Sequence, residues 1–175
     1  MGLITLLVFP IPTFIVLNYF EEINPLELFQ FENFSVFKIG IGLQLGIVYA
    51  FIALLFMRAS VFEKLPSRIE HIVKRMNLRL IDCVFISFCA GFGEELLFRS
   101  GVQFYLGPLI TAILFVAIHG YLNPFNWRMS LYGLIVLPFI LLISYGFTTF
   151  GLWFCIAAHF AYDLVLFIAM KNSNP

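Results

Sequence analysis

The chain has 175 residues, of which 62% are apolar and 11% charged, and its formal net charge is zero. A soluble domain of this length is usually under half apolar and about a quarter charged. This composition, with a mean hydropathy of +0.99, favours an integral membrane protein over a soluble domain with an oversized core. The balanced charge gives no reason to expect a nucleic-acid partner. The apolar composition instead predicts membrane lipid as a partner.

Six segments are candidates for membrane spans, because a helix needs roughly 20 apolar residues to cross about 30 Å of hydrocarbon. The first lacks a basic start and contains Pro10 and Pro12, which favours a retained span over a cleaved signal peptide. Pro138 predicts a kink in the fifth. The predicted fold is therefore an all-α polytopic membrane helix bundle with spans at about 1–20, 36–57, 80–102, 107–122, 129–147 and 150–170.

The loops between the spans differ in charge and predict the orientation. Residues 21–35 contain four Glu and no Lys or Arg, whereas residues 58–79 contain six Lys or Arg. Basic loops stay in the cytoplasm, so both termini are predicted to be cytoplasmic. Arg128 and Lys171 fall on the same predicted side.

The basic loop itself has the pattern of an amphipathic helix. Ser67 and Glu70 have the spacing of a capping box, and apolar residues then recur at helical intervals, at Ile69, Ile72, Val73 and Met76. This predicts a basic helix on the inner leaflet, with His71 as a surface residue. The chain is thereby divided into two N-terminal spans with this loop helix, residues 1–79, and a four-helix membrane core, residues 80–175.

Charged residues are rare in the last four spans. Between residues 83 and 170 only Glu94, Glu95, Arg99, Arg128 and Asp163 are charged, and all but Arg128 lie in predicted spans, as do His119 and His159. A charged side chain at mid-span costs about 2.5–3.5 kcal/mol on insertion scales. These groups are therefore expected to face the bundle interior and to satisfy one another near mid-membrane.

Helical spacing predicts which of these residues pair. Glu95 and Arg99 are four residues apart and share a helix face, whereas Glu94 is rotated from Glu95 by about 100°. The first motif therefore predicts one neutralised carboxylate, Glu95, and one available carboxylate, Glu94. By the same spacing Phe115 shares a face with His119, and His159 shares one with Asp163.

Taken together, Glu94-Glu95-x-x-x-Arg99, Phe115-x-x-x-His119 and His159-x-x-x-Asp163 resemble the motifs EExxxR, FxxxH and HxxxN/D. These motifs mark the CAAX-protease and bacteriocin-processing (Abi, CPBP) family of intramembrane proteases, which includes the Ras-converting endopeptidase. The resemblance covers about residues 80–165. It implies an intramembrane glutamic-type endopeptidase whose catalytic glutamate corresponds to Glu94, its companion to His119, and its oxyanion-side pair to His159 and Asp163. Glu95, Arg99 and Phe115 complete the motifs in structural roles.

The resemblance leaves several alternatives open. The implied substrate is a membrane-associated or lipidated peptide or protein, with a CaaX tail, a leader peptide or a C-terminal sorting signal as candidates, in a prokaryotic inner or plasma membrane. No cofactor is expected, but Glu94, His119 and His159 could instead bind zinc. Asp163 stands where many relatives have Asn, and an ionised Asp cannot donate a hydrogen bond to an oxyanion. Asp163 could instead hold and charge His159, so that the imidazolium is the donor, or could itself be protonated. A non-catalytic immunity or scaffold protein and an ion-coupled transporter are the competing interpretations.

Overall fold

The computed structural model describes residues 2–57 and 73–172, and every regular element within them is helical. Five stretches of these residues are long and apolar enough to cross a membrane: Gly2–Phe20, Val36–Met57, Leu80–Ile118, Met129–Phe150 and Leu152–Asn172. The helices are α1 (Gly2–Val8), α2 (Pro10–Phe20), α3 (Val36–Met57), α4 (Leu80–Glu95), α5 (Gln103–Ile118), α6 (Trp127–Phe150) and α7 (Leu152–Asn172).

The predicted number of six spans is not confirmed. The third and fourth predicted spans belong to one helical stretch of 39 residues, Leu80–Ile118, interrupted at Gly107, where φ is 71° and ψ 172°. Glycine adopts positive φ without the steric penalty of a Cβ, and Pro108 begins the next arm with its φ already suited to a helix. Gly107 and Pro108 thus turn the chain, but the apolar stretch continues on both sides of the turn. The count of spans depends on that stretch.

The chain reverses direction at Gly107. In a straight helix His119 would lie about 37 Å beyond Glu94, but the two side chains are 3.4 Å apart. The arm from Pro108 to Ile118 is only about 16 Å long, roughly half the hydrocarbon thickness. His119 therefore follows the end of a half-length arm, which brings it within reach of Glu94.

A π-helical segment, Leu96–Val102, joins α4 to α5 and contains Arg99. The wider turn of a π-helix is rare and occurs frequently at functional sites. The pattern of apolar residues gives no sign of it, because one wide turn barely changes the side-chain periodicity.

Helices α3 and α7 pack with their backbones in close contact. Gly42 and Gly46 lie against the carbonyl groups of Phe154 and Ala158, leaving no room for a Cβ. Small residues permit this approach between membrane helices. Because α7 carries His159 and Asp163, the contact fixes the position of that half of the site.

The loop between α2 and α3 also holds α7 in place. It contains two short 3₁₀ turns, Glu27–Phe29 and Phe31–Asn33, and the side-chain oxygen of Gln30 accepts a hydrogen bond of 3.1 Å from the backbone N–H of Leu152. The first N–H groups of a helix lack partners within the helix. This contact satisfies one of them at the start of α7.

The structure leaves two other predictions untested. Helix α6 is continuous through Pro138, and the predicted kink stays a prediction. The capping box at Ser67 and Glu70, with His71 and most of the amphipathic loop helix, lies outside the described residues. The division of the chain at residue 79 is likewise a prediction.

Candidate active site

The two adjacent glutamates of α4 have different partners. The Oε2 atom of Glu94 is 3.4 Å from Nε2 of His119 and 4.0 Å from Nε2 of His159. Glu95 is fully buried and makes its contacts with Arg99 and, through its other oxygen, His159. The predicted separation into one paired carboxylate and one that faces the histidines is confirmed.

Arg99 neutralises Glu95 and is held by several further groups. Its Nε donates to Oε2 of Glu95 at 2.7 Å, and its Nη1 donates to Oγ of Ser144 at 2.5 Å and to Oε1 of Gln103 at 3.2 Å. Its guanidinium carbon lies 5.8 Å from the ring centroid of Phe115. A buried ion pair is favourable only when the remaining donors and acceptors are also satisfied, and these contacts meet most of that requirement.

His119 is oriented by the residue one turn before it. Its Nδ1 lies 2.7 Å from the carbonyl oxygen of Phe115, and the two rings stack with centroids 4.3 Å apart. A carbonyl can only accept, so Nδ1 carries the proton. The Nε2 atom then faces Glu94.

His159 lies between three carboxylates. Its Nδ1 is 2.8 Å from Oε1 of Glu95, while its Nε2 is 3.6 Å from Oδ2 of Asp163 and 4.0 Å from Glu94. Glu95 is ionised by its pairing with Arg99 and can only accept, so Nδ1 of His159 is protonated. Carboxylate oxygens therefore face both nitrogens of the ring.

These residues line a cavity of about 320 Å³. Its wall includes Ile86 near the start of α4, Tyr132 near the start of α6, and Leu166 and Phe167 in the second half of α7. The cavity therefore occupies the half of the bundle that ends at Arg79 and Lys171, which we call the basic side. The arm ends at Ile118 and so does not extend into this space.

The small residues before the glutamates serve mainly in packing. Gly91 faces the backbone of Phe160 in α7, and Gly93 faces the backbone of Thr5 in α1, while Ala90 lines the cavity. The two glycines allow the helices to approach closely, and the alanine leaves space in the cavity.

A zinc centre is the alternative to a metal-free site. Among the described residues, no three His, Cys, Asp or Glu side chains converge closely enough to hold a metal ion. The Nε2 atom of His159 is 4.0 Å from Glu94 and nearer to Asp163. Zinc binding by Glu94, His119 and His159 stays an alternative prediction, and we derive no step through a metal.

Comparison with known proteins identifies the family. The family described as Type II CAAX prenyl endopeptidase, Rce1-like, matches residues 76–165, slightly more than half of the chain. The chain belongs to this Rce1-like family. No curated protein and no solved structure gives a significant match. Family membership, with five apolar helices, supports an integral membrane endopeptidase that acts on a peptide or protein.

The matched region of this Rce1-like chain contains every motif residue, and the structure brings them together. Glu94, His119, His159 and Asp163 all line the cavity, with Phe115 stacked beneath His119. The contact from Glu95 to His159 was not predicted, because helical spacing reports only partners on the same helix. Gln103 is four residues after Arg99 and could have been found by that rule; Ser144, a lone hydroxyl in an apolar span, gives a weaker signal.

Proposed function

We propose that the chain is an intramembrane endopeptidase in which Glu94 activates water without a metal ion. The observation that supports this most directly is the placement of Glu94: its Oε2 faces the Nε2 atoms of two histidines in a cavity, while the adjacent Glu95 is committed to Arg99. A carboxylate free of a structural ion pair is available as a general base.

The first step is the attack of water on the scissile carbonyl carbon. A water between Glu94 and His119 donates one hydrogen to Oε2 of the glutamate and the other to the lone pair on Nε2 of the histidine. Glu94 takes the first proton as the water oxygen bonds to the carbonyl carbon. The stacked ring and carbonyl of Phe115 hold His119 in this orientation, so little reorganisation is needed during reaction.

The second step is the collapse of the tetrahedral intermediate. The protonated Nε2 of His159 donates to the oxyanion, and Glu95 and Asp163 stabilise the imidazolium charge. Glu94 then returns its proton to the departing amide nitrogen as the C–N bond breaks, which leaves an amine and a carboxylic acid that carries the second proton of the water. In this mechanism Glu95 and Arg99 act through His159 and are positioning residues.

The basic side of the bundle is proposed to be cytoplasmic, because the loop of residues 58–79 is rich in Lys and Arg. Both termini would then be cytoplasmic, and substrate would reach the cavity from that side. A lipidated peptide ending in a CaaX sequence is the substrate class that the family description supports. Leader peptides and C-terminal sorting signals are the alternatives, and a prokaryotic inner or plasma membrane is the proposed location.

The test is cleavage of a farnesylated fluorogenic CaaX peptide by the purified protein in lipid nanodiscs. We expect Glu94→Gln to lower kcat by about 10²–10⁴-fold, the usual contribution of a general base, and His119→Ala to produce a comparable loss. The matched control is Asp82→Asn, since Asp82 is on the same helix and pairs only with the exposed Arg79 among the described residues; its activity should equal that of the wild type.

Full activity in Glu94→Gln would refute the glutamate mechanism. An intact protein that cleaves no CaaX, leader or sorting peptide, but binds a membrane partner equally well with and without Glu94, would instead favour the non-catalytic immunity or scaffold role. Proton or ion flux that is lost in Glu94→Gln would favour the transporter.

A further inference from the structure

Three tyrosines line the cavity beside the motif residues: Tyr121, Tyr132 and Tyr162. None belongs to the motifs from which the site was predicted. They come from three places in the chain, namely the turn after α5, the start of α6 and the position directly before Asp163 on α7. Each carries a hydroxyl group that can donate a hydrogen bond.

Tyr162 is buried, and its hydroxyl oxygen has no hydrogen-bond partner in the described part of the chain. Its ring is fixed by stacking on Phe139, with centroids 4.4 Å apart. The Tyr132 hydroxyl is close enough to interact with it, at the limit of hydrogen-bond geometry. A buried polar group without a partner is costly, and its persistence at a site wall suggests that a bound molecule satisfies it.

Tyr121 is held against the catalytic histidine. Its ring lies nearly parallel to that of His119, at 5.9 Å and 17°, and packs edge-on against Tyr132 at 5.2 Å. The absence of a side chain at Gly133 makes this position possible, since a Cβ there would lie 2.6 Å from the carbonyl oxygen of Tyr121. The tyrosines are therefore parts of a packed wall.

The proposed reaction needs more donors than the motif residues supply. His159 provides one hydrogen bond to the oxyanion, and an ionised Asp163 provides none. All three tyrosines line the same cavity as Asp163, and Tyr162 directly precedes it on α7. Neutral phenols can approach a developing oxyanion without the repulsion that a second carboxylate would cause.

We propose that the hydroxyl groups of this tyrosine wall, with Tyr162 foremost, donate hydrogen bonds to the carbonyl oxygen of the scissile bond and replace the amide donor that Asp163 lacks. The inference rests on the proposed function and deepens it. It makes the tyrosines catalytic residues that act on the transition state, and it predicts that their contribution depends on the residue at position 163.

The test measures kcat and KM for the farnesylated fluorogenic CaaX peptide with Tyr121→Phe, Tyr132→Phe and Tyr162→Phe. Tyr49→Phe is the matched control, because the Tyr49 ring packs on the same Phe139 but its hydroxyl donates to the backbone carbonyl of Ile135 at 3.0 Å. Loss of an oxyanion donor costs about 10²–10³-fold in kcat. We expect Tyr162→Phe to lose at least tenfold in kcat with little change in KM, and Tyr49→Phe to lose less than twofold.

The same substitutions in an Asp163→Asn background separate catalysis from packing. An asparagine amide can donate to the oxyanion, so the effect of Tyr162→Phe on kcat should shrink at least fivefold there, whereas a packing defect would be the same in both backgrounds. Equal losses in both backgrounds would overturn the inference. So would kcat values within twofold of Tyr49→Phe for all three tyrosine variants while Glu94→Gln is inactive; an active Glu94→Gln would instead refute the proposed function, and with it this inference.

Discussion

Replacing Arg99 by Met tests whether the buried ion pair beneath the site stabilises the protein. The side chains of Arg99 and Glu95 are both fully buried, and methionine fills similar volume without charge. The substitution removes the hydrogen bonds to Glu95, Ser144 and Gln103 at once. It also leaves the Glu95 carboxylate with only His159 as a partner among the described residues.

The expected loss is about 3–5 kcal/mol in the free energy of unfolding, the cost of leaving one partner of a buried pair uncompensated. The double variant Arg99→Met/Glu95→Gln removes both charges, and a glutamine oxygen can still accept from Nδ1 of His159. Because a buried pair can be replaced by neutral groups at little cost, the double variant should recover most of the loss. Its kcat should stay low, since His159 no longer faces the charge of Glu95.

Unfolding by SDS in mixed micelles, followed by tryptophan fluorescence, measures these differences. Arg99→Lys keeps the charge but loses the planar fork, and should lie between the wild type and Arg99→Met. The exposed pair Arg79–Asp82 supplies the control, for which Asp82→Asn should leave the midpoint unchanged. A loss below 1 kcal/mol in Arg99→Met, or a double variant no more stable than the single one, would refute this reasoning.

The other two predictions concern packing and metal. Gly46→Ala should cost about 1–3 kcal/mol, as overpacking usually does, since its Cβ would overlap the carbonyl of Ala158; Gly40→Ala, with nothing within 4 Å of its Cβ, should be neutral or slightly stabilising in the same SDS titration. Peptide cleavage should persist after exhaustive chelation and should not rise when zinc is restored. Activity that disappears on chelation and returns with zinc would contradict the metal-free mechanism.

The pairings within one helix could be predicted from sequence because helical spacing places side chains directly. Glu95 with Arg99, and Phe115 with His119, follow from intervals of four residues and are confirmed. The convergence of Glu94, His119 and His159 was predicted from their estimated depths in the membrane. Each depth was counted along the helix from the predicted end of its span.

The contacts between helices could not be predicted in the same way. The bond from Glu95 to His159 depends on how α7 is rotated against α4, which the close approach at Gly91 helps to determine. The tyrosine wall gave no signal because tyrosines are common in apolar spans and at membrane interfaces. The predicted count of six spans is not confirmed, because length and hydropathy do not distinguish a crossing helix from an arm that stops half way.

Because the chain reverses at Gly107, Glu94 and His119 lie on two helical arms, and the lengths of these arms determine whether the two side chains meet. One residue inserted into either arm would advance everything beyond it by about 1.5 Å and rotate it by about 100°, which would turn His119 away from Glu94. Only the bend itself can absorb a change in length. Between the first two motifs, an insertion should therefore be tolerated beside Gly107 and nowhere else. The number of residues between Glu94 and His119 is as much a part of the site as the chemistry of their side chains.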